Sequence, residues 1–173
     1  SEVCILLPDV CYAFFSKDVH LLNMQNGLAD NTVSAVYKDK EGFVWFGTRN
    51  GLSRYDGRQI TNFEQSNSYP SISNLKEVFD GVLAFVDNGV FSAFDLKKER
   101  FLSVVSSSEK RIPSWGMLQK NDSLVWVISG SELHLMKRCA SKEGELRLRV
   151  QEKYTGWDNQ DNLLVAITYS DRK

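Results

Sequence analysis

Two histidines, three cysteines and a short acidic stretch are the residues of this chain best suited by type to chemistry, and their spacing argues against it. His20 and His134 stand more than a hundred positions apart, and each reads as a solvent-facing or seam-facing side chain rather than a general base. Cys4, Cys11 and Cys139 form no C-x-x-C pair and no Cys/His spacing that suits zinc, so they read as unpaired or buried thiols. The run from Asp158 to Asn162, DNQDN, has acidic spacing but lacks the Gly and the closing Glu of a calcium loop; it reads as a plain loop. No Ser/His/Asp set, paired-carboxylate motif or phosphate loop appears. The expectation is a non-enzyme with no cofactor and no metal.

Composition narrows the remaining classes. The chain has 173 residues, a hydrophobic fraction of 42% and an aromatic fraction of 12%, enough to build a core. Lys plus Arg is 21 against 22 for Asp plus Glu, and no basic stripe appears, so nucleic acid is not an expected partner. No run of ~18 apolar residues is present to form a membrane helix. The opening VCILLPDVCYAFF reads two ways. Small residues at Cys11 and Ala13 suit the tail of a secretory signal cut after Ala13, whereas Glu2, Asp9 and the missing basic region suit an ordinary strand at Val10–Phe15.

Binding is therefore the chemistry to look for, and repeated elements must position it. EGFVWFGTRNGLSRYDG, from Glu41 to Gly57, sets turn signals around two apolar runs and reads as strand, turn, strand, turn. Related stretches follow at Gly81–Asp95, Ser123–Arg138 and the final NLLVAITYSDRK. Trp45, Phe85, Trp126 and Ala166 are separated by 40, 41 and 40 positions. A period of about 40 with four short strands is the signature of a propeller blade.

In the first unit, Thr32–Lys38 suits an inner strand, Phe43–Thr48 a strand buried on both faces, and the segment after Asp56-Gly57 an exposed outer edge. Strands are expected in the second unit near Leu75–Phe79, Val82–Asp87, Val90–Asp95 and Phe101–Val105. In the third they are expected near Gly116–Gln119, Leu124–Ser129, Glu132–Lys137 and Leu146–Glu152, with CASKEGE as a polar insertion. His20–Met24 suits a closing outer strand. The division is then 1–25 for a signal tail or closing strand, 26–72, 73–112 and 113–155 for three blades, and 156–173 for the start of a fourth. The fold class expected is all-β, a partial β-propeller of four-stranded antiparallel blades.

The unit Asn26–Phe63 closely resembles the two-component regulator propeller repeat. The matching residues are Gly27, Leu28, Asn31, Val33, Asp39, Gly42, Val44, Trp45, Gly47, Thr48, Asn50, Gly51, Leu52, Tyr55, Asp56 and Gly57. The second unit departs, with Ala84 in place of the Trp and Val86-Asp87 in place of Gly-Thr; the third keeps Trp126 but has Ile128-Ser129. The resemblance implies the N-terminal periplasmic sensor region of a hybrid two-component system. It further implies a homodimeric parent whose kinase parts control transcription, and a chain here that is a fragment. An open blade face would then favour association.

Ligand contacts are expected where loops enter the inner strands around a propeller's axis. Candidates there are Asn31, Trp115, Trp157, Asp158 and Asn159, with Arg49 in a nearby turn. An exposed indole beside amides and carboxylates suits an oligosaccharide, the ring covering the sugar's apolar face. The alternative for Trp115 and Trp157 is packing between blades. Two other functions remain open: a scaffold that binds only proteins, and a propeller enzyme, which would need clustered acids or a metal at the blade mouths.

Overall fold

The computed structural model describes residues 21–64, 70–107 and 111–155. The candidates His20, Trp157, Asp158 and Asn159, the cysteines Cys4 and Cys11, the signal-like stretch and the fourth unit lie outside the described residues. Twelve strands are described, in three groups of four joined by short turns. The first group is β1 (Val33–Lys38), β2 (Val44–Thr48), β3 (Gly51–Tyr55) and β4 (Ile60–Phe63). The second is β5 (Ile72–Phe79), β6 (Val82–Asp87), β7 (Val90–Asp95) and β8 (Arg100–Ser106). The third is β9 (Gly116–Asn121), β10 (Leu124–Ser129), β11 (Glu132–Cys139) and β12 (Glu145–Tyr154). No α-helix occurs among the described residues. The chain is all-β and built of propeller blades, as the repeat demanded.

The closing strand expected at His20–Met24 is not formed in its described part. Leu21–Asn23 carry no strand, and Met24–Asn26 is a 3-10 turn capped by the Asn23 side chain. The amide nitrogens of Gln25 and Asn26 donate to Asn23 Oδ1, a local alternative that competes with strand pairing. Leu22 packs with Leu28, Val44, Phe46 and Ile60 on the outer face of the first blade.

The blades stack through apolar faces set by the period-two alternation of their strands. Every residue of β2 is buried because both of its faces are covered: Trp45 lies against the second blade, Val44 and Phe46 against the Leu22–Leu28 cluster. In β6, Leu83 and Phe85 face the first blade while Val82 and Ala84 face the third. This corrects the spacing argument. Trp45 lies three residues before the end of its strand, as do Ala84 and Trp126, so the structural counterpart of Trp45 is Ala84 rather than Phe85.

A further departure from separate blades appears at the rim. Outer strands β8 and β12 pair in parallel, Ser103–Ser106 against Glu145–Leu148, so the second and third blades form one eight-stranded sheet. The CASKEGE insertion makes this possible. Its Glu143 binds Lys98 and Arg100 of the second blade, and Ser103 donates its amide to Gly144 O at 2.9 Å. Both ion pairs are exposed, so Glu143→Ala is expected to cost about 0–1 kcal/mol, read by urea denaturation, while the backbone ladder keeps the rim closed.

Candidate functional site

Antiparallel order puts the turns of all three blades at two ends. One end carries the β2–β3, β6–β7 and β10–β11 turns and the segments entering β1, β5 and β9. Three sequence candidates lie there. Asn31 accepts the Met24 amide at 2.8 Å through Oδ1, so its side chain pins the 3-10 turn. Arg49 is exposed in the β2–β3 turn, its amide bonded to Thr32 O. Trp115 precedes β9 with 70% of its surface exposed, so it packs against neither the first nor the second blade. Asn74, at φ 52 in the middle of β5, donates Nδ2 to Trp115 O at 3.1 Å and fixes the backbone beneath the ring. The structure thus brings Asn31, Arg49 and Trp115 to one end, with β5 between the first-blade pair and Trp115.

The opposite end holds what the sequence reading missed. A cleft of about 300 Å³ opens on the seam of the first two blades, between the β1–β2, β5–β6 and β7–β8 turns. Its base begins with Asp39, which closes the β1–β2 turn by accepting the Phe43 amide at 2.9 Å and holds the Trp45 indole N–H at 2.7 Å. Glu77 repeats this device on the second blade, accepting the Gly81 amide four residues on at 3.0 Å. Tyr37 and Lys40 reach across the seam to the Glu77 carboxylate, both at 3.3 Å. Burial, with the Glu77 charge next, pushes the Tyr37 phenol up; the bond to Glu77 pushes the Lys40 ammonium up.

Arg54 forms the other wall. Its guanidinium lies 4.7 Å from the centre of the Phe43 ring and 5.6 Å from those of Trp45 and Phe63, and it pairs with Glu99 of the second blade. Its Nε is buried with no hydrogen-bond partner among the described residues. Such an arrangement locks the first two blades together through interleaved charges and offers donors and acceptors to a polar ligand. One sequence signal was available: closing β2 and β3 through the Arg49-Asn50 turn sets Arg54 opposite Trp45. Nothing in the sequence showed that Glu77 and Glu99, from another blade, would arrive there.

His134 is buried on the seam of the second and third blades, its Nε2 2.9 Å from Glu132 Oε2, with Lys153 on the other Glu132 oxygen. No group of three or more metal-ligating side chains occurs among the described residues.

Sheet order, turn chemistry and cross-blade packing define a propeller-type array of four-stranded antiparallel blades. Residues 27–50 match the family model Reg_prop, described as two component regulator propeller. Among solved structures, the chain is similar to the extracellular domain of BT4673 from B. thetaiotaomicron, described as a one component system. The identity is 16% and the TM-score 0.59, over 80% of this chain and 21% of that one. It is also similar to the extracellular domain of BT3049 of the same organism, described as a hybrid two component system. There the identity is 19% and the TM-score 0.53, over 73% of this chain and 17% of that one. This chain therefore spans about a fifth of each structure's length. No curated protein matches it in sequence.

Proposed function

We propose that this chain is an extracytoplasmic ligand-sensing propeller of a two-component signalling receptor, acting in the periplasm and responding to oligosaccharides. The observation that carries this reading is the regulator-propeller match at residues 27–50, in a fold shared with extracellular domains of signalling systems. Trp115 supplies the sugar platform, with Asn31 and Arg49 at the same end of the blades, on the far side of β5. The kinase parts of a longer parent chain would turn binding into transcription control, through a change in the arrangement of a homodimer. Such a shift requires different affinities for two arrangements of the parent.

Binding is tested by calorimetric titration of the parent ectodomain against a panel of glycan oligosaccharides. Trp115 lies outside every apolar cluster, so Trp115→Ala should leave stability within about 0.5 kcal/mol. It should weaken the bound glycan by roughly tenfold, the scale of a lost stacking contact of about 1–1.5 kcal/mol. Absence of binding across the panel would replace this reading with a scaffold that binds proteins.

A further inference from the structure

A second cleft, of about 450 Å³, lies at the same end as the first but on the seam of the second and third blades. Its floor is apolar, from Val82, Leu102 and Leu146, and its walls are charged. Five cationic side chains line it, Lys97, Lys98, Arg100, Arg138 and Lys142, against four carboxylates. Each carboxylate is already engaged. Asp80 takes Lys97 and, more distantly, Lys40, while Asp95 accepts the backbone amides of Lys97 and Lys98 at 3.0 Å. Glu143 is shared by Lys98 and Arg100, and Glu145 is drawn away by Arg147 at 2.8 Å.

Donors are left over. The Arg138 guanidinium lies 5.5 Å from the centre of the Phe79 ring and meets no carboxylate among the described residues. Lys142, on the insertion, likewise has no side-chain partner among the described residues. Arg100 has its Nε buried and unpartnered. These three groups come from both walls, Arg100 from the second blade and the other two from the third. Arg138 and Lys142 line the cleft without a carboxylate partner among the described residues, so an acceptor-only ligand complements the cations it leaves over. Guanidinium forks match the oxygens of sulfate and phosphate, and a tetrahedral group can meet donors on both walls at once.

We propose that the cleft between the second and third blades binds a sulfate or phosphate group through Arg100, Arg138 and Lys142. Binding there bridges β8 and the insertion, across the parallel β8–β12 joint. The inference stands apart from the sensor reading, since it concerns another end of the blades and another ligand chemistry.

The test is titration of the chain with sodium sulfate and, separately, sodium phosphate, at ionic strength held constant with sodium chloride, followed by amide chemical-shift changes. Saturable shifts confined to β8, the insertion and the end of β11 are expected. Arg138→Gln should weaken binding by about tenfold, the scale of one charged hydrogen bond. Lys142→Ala, on an exposed loop, should weaken it several-fold without disturbing the fold. Lys38→Ala, an exposed cation of the first blade, should leave it unchanged. A preference for one anion identifies the group as sulfate or phosphate. Non-saturable shifts, or equal losses in Lys38→Ala and Arg138→Gln, would overturn the proposal as unspecific charge attraction.

Discussion

Replacing Trp45 with alanine is expected to destabilise the chain by about 3–5 kcal/mol, measured by urea denaturation. The ring is 1% exposed and packs on Phe63 at 5.6 Å and Phe94 at 5.4 Å between centroids. Removing it opens a void on the seam of the first two blades and takes away one of the rings under Arg54. It also strips Asp39 Oδ2 of the indole donor, leaving a buried carboxylate oxygen short of a partner. Trp45→Phe separates the two contributions. It keeps an aromatic body on the seam and loses the N–H, so a cost of about 1–3 kcal/mol is expected, and most of it should vanish when Asp39 is already Ala. Additive losses for Trp45→Phe and Asp39→Ala would mean that the indole bond contributes nothing and that the Trp is retained for volume alone.

The repeat motif was legible because its residues act locally. Asp39 and Phe43 close one turn. Thr48 Oγ1 accepts the Asn50 amide and donates to Gly51 O within the next turn. Asp56 accepts the amides of Gln59 and Arg58, which together hold its carboxyl below the usual range. Turn chemistry of this kind is written in neighbouring residues, so strands β6, β7 and β10 could be bounded to the residue from sequence. What crosses between blades was not legible. The 40-position count sets Phe85 against Trp45 while the motif alignment sets Ala84 there, and the stacking decides for Ala84, because Phe85 faces the first blade. The β8–β12 pairing joins residues some forty positions apart through backbone groups, which no side-chain pattern announces. The cleft at Arg54 and Glu77 was invisible for the same reason, its walls being supplied by two blades. Of the candidate ligand residues, Trp115 was readable as an aromatic at an inner-strand entrance, while the occupation of Asn31 by the Met24 amide depends on a 3-10 turn at Met24–Asn26 that begins where the expected strand His20–Met24 ends.

The second large effect is expected at Gly47, where space rather than backbone conformation demands glycine. A Cβ placed there would stand 2.7 Å from Ile72 Cγ2 and 3.0 Å from Ile72 O on β5 of the next blade. Ile72 is fully buried and β-branched, so its methyl has no other well to enter. Its carbonyl also accepts the Ser34 hydroxyl, which reaches Gly47 O at 3.2 Å as well, tying three strands at the closest approach of the two blades. Gly47→Ala must therefore push β5 away from β2, at a cost of about 1–3 kcal/mol for overpacking, with further loss if the Ser34 bonds lengthen. The counterpart in the second blade is Val86, a buried residue with a full side chain. Ile72→Ala removes the methyl but leaves the carbonyl, so the double variant with Gly47→Ala should be less destabilised than the sum of the singles by more than about 0.5 kcal/mol. Strict additivity would show that the clash is with the backbone alone, and a neutral Gly47→Ala would refute the close seam itself. If the seam is as tight as the Ser34, Gly47 and Ile72 contacts make it, the Gly of the repeat motif is what lets one blade lie against the next.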